Sequence, residues 1–228
     1  MNLEGSCIVV TGAFGTLGQA LVRAALDAGL RVGAIDHAPV PAGFPATHAL
    51  GGIDLGDAAA ASAAIDAAAS ALGGLDGLVN VAGTFRWETL EAGSLETWDL
   101  LYRVNLRTAA AASKAALPHL GRSRAGRIVN IGAAAANRAA AGMGAYAASK
   151  SGVARLTEAL AEELKDTAIT VNAILPSILD TPPNRADMPK ADFARWVKPE
   201  QLADVVLFLL SDRASAITGA LLPVTGRV

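Results

Sequence analysis

The chain is predicted to fold as a doubly wound α/β domain, and three observations predict it. Short apolar runs alternate with longer helix-like stretches, the pattern of parallel βαβ units. A turn carrying Gly12, Gly15 and Gly18 stands between the first apolar run and the first helical one. At 228 residues, with 52% hydrophobic and 18% charged side chains, the chain has the length and apolar content for one full core.

The elements follow in order. Residues 6–11 read as a buried strand and 15–28 as a helix ending before Gly29. Strands are expected at 31–36 and 47–50, an alanine-rich helix at 57–72, and a strand at 75–82. A long helix is predicted over 95–117, a strand at 127–131, a helix at 145–165 and a strand at 168–175. A helix at 199–211 and a strand at 219–224 close the chain. That makes about seven strands, with right-handed crossovers placing helices on both faces of a single domain spanning 1–228. Alanine runs such as 58–61 and 109–112 suit close-packed helices, since alanine is the best helix former. The segment 176–199 breaks the rhythm: it holds five of the ten prolines and follows a strand's carboxyl end, as a substrate loop would.

Composition excludes several function classes. A net charge of −2 has no basic excess for nucleic acid or an anionic membrane. The three histidines and single Cys7 are scattered, so neither a metal site nor an internal disulfide is expected. Mean hydropathy is +0.38, raised by alanine and glycine, yet no stretch approaches the ~20 apolar residues of a membrane span. The first residues lack the pattern of a secretory signal, so a soluble cytoplasmic protein is expected.

The motif Thr11-Gly12-Ala13-Phe14-Gly15-Thr16-Leu17-Gly18 sits where a dinucleotide pyrophosphate meets a helix N-terminus. Glycines there permit a tight turn, close approach of the phosphates and close helix–strand packing. Asp36 ends the second strand, 18 residues after Gly18, where a carboxylate accepts from ribose hydroxyls and repels a 2′-phosphate. NAD is therefore the expected cofactor and NADP the less favoured one. His37, beside it, is the group that would soften that selection.

Asn80-Val81-Ala82-Gly83, Asn105, Tyr146-Ala-Ala-Ser-Lys150, Asn172 and Pro176 come in an order and spacing that resemble the short-chain dehydrogenase/reductase family over essentially the whole chain. The resemblance implies a Rossmann-type fold and NAD(P)-dependent oxidoreduction, with Tyr146 and Lys150 as the catalytic pair. Four residues apart, those two share one helix face. A free phenol, with a pKa near ~10, is a sluggish proton carrier at neutral pH, and a neighbouring ammonium and an oxidised nicotinamide are both expected to favour phenolate. By resemblance, Asn105 would bind a water extending a proton relay from Lys150, which would also hold the nicotinamide ribose. Asp54 and Leu55 would edge the adenine, with Asn80, Ala82 and Gly83 supporting the cofactor. Ile178 and Thr181 would meet its carboxamide and phosphate, beside Pro176. Dimers or tetramers built on the long helices are implied as well.

Two positions depart from the family pattern. Thirteen residues before Tyr146, where a serine normally grips the substrate oxygen, stands Ala133, which has no hydroxyl. Thr16 replaces a common glycine. Both, with Gly142-Met143-Gly144 and the 176–199 segment, resemble the dihydropteridine reductase branch. The expected reaction is hydride transfer between NAD(H) and a small carbonyl or alcohol, or an imine-like quinonoid dihydropteridine. Ala133, Phe85 and Trp196 would contact the substrate, with Trp87 and Phe193 as further candidates for a flat apolar pocket. The alternative is an NAD(H)-binding sensor or interaction module with little catalysis, which Ala133 would suit.

Overall fold

The computed structural model describes residues 3–228. Seven strands, all parallel, form one sheet in the order β3-β2-β1-β4-β5-β6-β7: β1 (Cys7–Thr11), β2 (Arg31–Ile35), β3 (His48–Leu50), β4 (Gly77–Asn80), β5 (Arg127–Ile131), β6 (Thr170–Pro176) and β7 (Leu221–Val224). The Rossmann-type fold expected from the sequence is the fold observed. Every residue of β1, β4, β5 and β6 is buried, because helices cover both faces and leave no strand face for water.

On one face lie α1 (Thr16–Asp27) and α7 (Pro199–Leu210), whose Leu21, Val22, Leu202 and Val206 fill the core, α1 against β1 and β2 and α7 against β5 and β6. On the other lie α2 (Ala58–Leu72), α4 (Thr108–Leu120) and α5 (Gly144–Glu163). Ala61, Ala64 and Ala68 of α2, with Ala112 and Ala116 of α4, are small enough to let those two helices pack closely. Asp57 starts α2 by accepting from the Ala60 N–H at 2.8 Å, and Gly73 ends it at φ +79°.

Two regions differ from expectation. The helix predicted over 95–117 is three pieces: α3 (Leu95–Leu101), a wide π turn over Tyr102–Arg107, and α4. In the wide turn the Thr108 N–H reaches back five residues to the Arg103 carbonyl, and the Thr108 hydroxyl donates to the Val104 carbonyl at 2.7 Å. The 176–199 segment is not a free loop. It contains α6 (Pro182–Asp187) and a tight turn over Phe193–Arg195, and a bridge between Leu179 and Val197 fastens it to itself.

Beneath the carboxyl ends of β4 and β5 runs a buried polar seam. The Asn80 amide donates to Ser113 Oγ on α4 (3.0 Å) and to Asn130 Oδ1 on β5 (2.8 Å). The Asn130 amide in turn donates to Thr157 Oγ1 on α5 at 2.9 Å.

Candidate active site

Doubly wound sheets bind ligands at the carboxyl edge where the winding reverses. Here that reversal falls between β1 and β4, and a cleft of about 1590 Å³ opens there. The volume exceeds the ~300–1,000 Å³ of ordinary small-molecule pockets and leaves room for a dinucleotide with a substrate.

The β1–α1 turn forms one end of the cleft. Gly12 has φ +62°, and a Cβ there would lie 2.7 Å from the Ala82 nitrogen. A Cβ on Gly18 would stand 2.2 Å from the Gly12 carbonyl oxygen, so this glycine lets α1 rest on the strand end. At Gly15 a Cβ would meet nothing nearer than 3.5 Å, so the open space there belongs to the cleft. With the N-terminus of α1 behind it, this cradle fits a pyrophosphate.

Asp36 is wired into the same turn. Its Oδ2 accepts from the Phe14 N–H at 2.8 Å and its Oδ1 from the Ala38 N–H at 2.9 Å. A carboxylate has about four acceptor positions, so it retains capacity toward ribose hydroxyls. The Phe14 ring packs edge-on against Phe44, centroids 4.8 Å apart, placing apolar surface beside that carboxylate. Asp54, His37 and Leu55 line the cleft further along. Arg103, in the wide turn, pairs with Asp54 at 2.6 Å across the opening. That guanidinium, helped by the Gly56 N–H, holds the Asp54 carboxyl below the usual carboxylate range. Nothing in the sequence singled out Arg103, whose partner is 49 residues away.

Tyr146 and Lys150 sit together at the other end, on the first turns of α5. Lys150 is buried, and its ammonium donates to the Ile131 carbonyl at the end of β5 (2.8 Å). Burial pushes it down to about 8. The Tyr146 ring packs edge-on against Phe85 at 4.9 Å, and burial pushes its phenol up to about 12. Burial is the cause acting on the phenol, and it works against the shift toward neutrality expected of a neighbouring ammonium and an oxidised nicotinamide.

Asn105 is buried in the wide turn and makes three side-chain hydrogen bonds. Its Oδ1 accepts from the Thr84 N–H (2.7 Å), while its amide donates to the Thr84 carbonyl (3.0 Å) and to Ser149 Oγ (2.9 Å). Both amide hydrogens are thus used to tie the loop after β4 to α5. Gly83 lies between the two polar groups: a Cβ there would stand 3.0 Å from Asn105 Oδ1 and 3.3 Å from Lys150 Nζ.

Of the remaining sequence candidates, Thr16, Leu17, Ala82, Ala133, Pro176 and Ile178 line the cleft. Three do not present side chains to it. Asn80 turns beneath the floor into the polar seam. The Thr181 hydroxyl is spent capping α6 by accepting from the Asn184 N–H. Trp196, predicted to touch substrate, is only 5% exposed and packs on Phe193 at 4.8 Å beside the Leu179–Val197 bridge. Its large apolar ring anchors the 176–199 segment instead. Asn172, one of the motif residues, joins β6 to the stretch before β7 through the Ile217 carbonyl and Ala220 N–H. Among the described residues no cluster of metal-ligating side chains occurs, and no helix is long and apolar enough to cross a membrane.

The glycine cradle, the Asp36 carboxylate beside it and a tyrosine–lysine pair around one cleft suit a nucleotide-dependent oxidoreductase. Residues 6–192 match the family described as short chain dehydrogenase, and the chain belongs to that family. It is 32% identical over 248 residues to 2-(S)-hydroxypropyl-CoM dehydrogenase 3 of Xanthobacter autotrophicus, covering 99% of this chain and 97% of the relative. In three dimensions it resembles the 3-ketoacyl-(acyl-carrier-protein) reductase of Brucella melitensis complexed with NADH. The TM-score is 0.87 at 30% identity, over 98% of both chains. It also resembles a short chain dehydrogenase of Burkholderia cenocepacia in complex with NADP. There the TM-score is 0.85 at 31% identity, over 99% of this chain and 98% of the other.

Proposed function

We propose that this chain carries out reversible hydride transfer between NAD(H) and a small carbonyl or alcohol, or an imine-like ring, with Tyr146 as the proton carrier. The observation that carries the reading is the meeting of Tyr146 and Lys150 with the Gly12–Gly18 cradle in one cleft. Gly12, Phe14, Gly15, Thr16 and Leu17 would hold the pyrophosphate, Asp36 and His37 the adenosine ribose, and Lys150 the nicotinamide ribose. A bound nicotinamide supplies the two-electron exchange.

The protein's part is positioning and proton management. Tyr146, protonated at pH 7, donates from its phenolic oxygen to the substrate heteroatom. Lys150, still predominantly ammonium at pH 7, steadies the phenolate left behind. Asn105 positions the pair by joining Thr84 to Ser149, whose hydroxyl donates to the Tyr146 carbonyl at 2.8 Å. A water beside Asn105 carrying protons to Lys150 belongs to the same proposal. NAD is proposed over NADP because a 2′-phosphate would face the Asp36 carboxylate and the Phe14–Phe44 rings, which offer it no cation. Assembly as a homodimer or homotetramer is supported by Leu95, Trp98 and Tyr102, which expose apolar surface on α3 and the wide turn. Sedimentation of a monomer at micromolar concentration would count against it.

The test is direct titration of the purified protein with NADH and NADPH, then oxidation of NADH with a panel of ketones, quinones and quinonoid dihydropterins. Binding of NADH with turnover that Tyr146→Phe abolishes supports the reading. A second reading, a cofactor-responsive protein with little catalysis, draws on Ala133, which leaves the substrate oxygen without a hydroxyl from that position. Tight NADH binding without turnover of any panel member would favour it.

A further inference from the structure

Resting on the reading that the cleft holds NAD(H), we infer that Arg103 is a strap over the adenosine end of the cofactor, which enters and leaves by parting the Arg103–Asp54 ion pair. The two residues belong to opposite walls. Asp54 stands in the stretch after β3, with Ile53 and Leu55. Arg103 stands in the wide turn, with Val104, and Thr108 follows at the start of α4. All six line the cleft. The Ile53 N–H donates to the Asp36 carbonyl at 3.0 Å, so this stretch begins beside the residue proposed to hold the adenosine ribose. A base attached to that ribose would have Ile53, Leu55 and Val104 as apolar surface to lie against. The Arg103–Asp54 contact, at 2.6 Å, joins the two walls.

The surroundings of the pair are tied down, which leaves the Arg103 side chain as the moving part. Arg107, from the same wide turn but outside the cleft lining, donates from Nε to the Gly56 carbonyl at 2.7 Å and keeps the walls together. Asp54 Oδ1 accepts from the Gly56 N–H at 2.8 Å, which fixes the carboxylate. Asn105 pins the wide turn through Thr84 and Ser149. The arm of Arg103 crosses Gly56, where a Cβ would stand 3.0 Å from its Nε and 3.1 Å from its Cγ. Among the described residues, Asp54 is the one hydrogen-bond partner of its guanidinium. The two side chains are 49% and 48% exposed. An ion pair with that access to water is weak and screened by salt. It opens readily, and the long arm can swing aside while the backbone of both walls stays in place.

The experiment measures binding alone, so it does not depend on turnover of any substrate. Stopped-flow fluorescence follows the release of NADH from the wild-type protein, Arg103→Met and Arg103→Lys. Calorimetry gives the affinity of each for ADP-ribose, which carries the adenosine and pyrophosphate without the nicotinamide. Arg103→Met is expected to speed NADH release about two- to fivefold, the scale of a half-exposed ion pair, and to weaken ADP-ribose binding by a similar factor. Arg103→Lys, which keeps the charge on a different head group, should fall between the two. Added salt should quicken release from the wild type more steeply than from Arg103→Met. Both substitutions are at a half-exposed position and are expected to fold, which circular dichroism checks. Unchanged NADH release from folded Arg103→Met overturns the strap. Faster NADH release with unchanged ADP-ribose affinity overturns it too, because the effect would then lie at the nicotinamide end. If the wild-type protein binds neither ligand, the cofactor reading itself fails, and this inference fails with it.

Discussion

Replacing Lys150 with methionine should abolish activity and stabilise the protein at neutral pH. In an unfolded chain a lysine titrates near ~10.4, whereas burial lowers Lys150 to about 8. Below pH 8 the folded state holds a desolvated ammonium, and the cost relative to a solvated one is about 3 kcal/mol at ~1.36 kcal/mol per pKa unit. Methionine removes that penalty and loses the hydrogen bond to the Ile131 carbonyl, worth roughly 1–2 kcal/mol. A net gain of about 1–2 kcal/mol at pH 7 is expected. The sign of the pH dependence is fixed. Between pH 8 and about 10 the unfolded chain keeps the proton and the folded one does not, so wild-type stability rises with pH relative to the variant. The gap between the two proteins should shrink by about 2 kcal/mol from pH 7 to 9.5. Urea unfolding of both proteins at several pH values and one protein concentration measures it. A variant less stable than wild type at pH 7, with a difference that does not move with pH, would refute the reasoning.

Tyr146→Phe should lower turnover by at least about 10²-fold while NADH binding stays within a few-fold; calorimetry and stopped-flow absorbance separate the two. In the reductive direction kcat/KM should fall as pH rises through about 8, where Lys150 loses the charge that steadies phenolate, and a flat profile to pH 9.5 would speak against that role. Asp36→Ala should narrow the preference for NADH over NADPH at least tenfold, read from paired dissociation constants. Ala133→Ser, which adds a hydroxyl on the cleft wall, should raise ketone reduction by about tenfold or more. An unchanged rate would show that the substrate oxygen does not approach that position.

The strands and the glycine turn were legible because both are local. A run such as Ile8-Val9-Val10 declares burial on both faces, and the positive φ of Gly12 is written in the residue type. The site was legible where a helix repeat sets the geometry, as for Tyr146 and Lys150. Elsewhere, contacts remote in sequence decide. An aromatic near a proline-rich segment serves equally as pocket wall or anchor: Phe85 and Trp87 reached the cleft, while Phe193 and Trp196 paired with each other. The wide turn around Asn105 was hidden, since 95–117 has helical composition throughout and a five-residue hydrogen bond leaves no periodic signature. The upward displacement of the Tyr146 phenol was missed because it depends on burial, which no spacing encodes.

The chain of amides and hydroxyls from Ser113 through Asn80 and Asn130 to Thr157 has a mechanical meaning. Helices faced with alanine and leucine can creep along a sheet at little cost, since one small apolar ridge is much like the next. A hydrogen bond admits one partner atom at one distance, so Thr157 works as an index pin for α5. Tyr146 and Lys150 ride on that same rod, three and two turns upstream, and a slip of a single residue at the pin would carry both away from the sheet edge they serve.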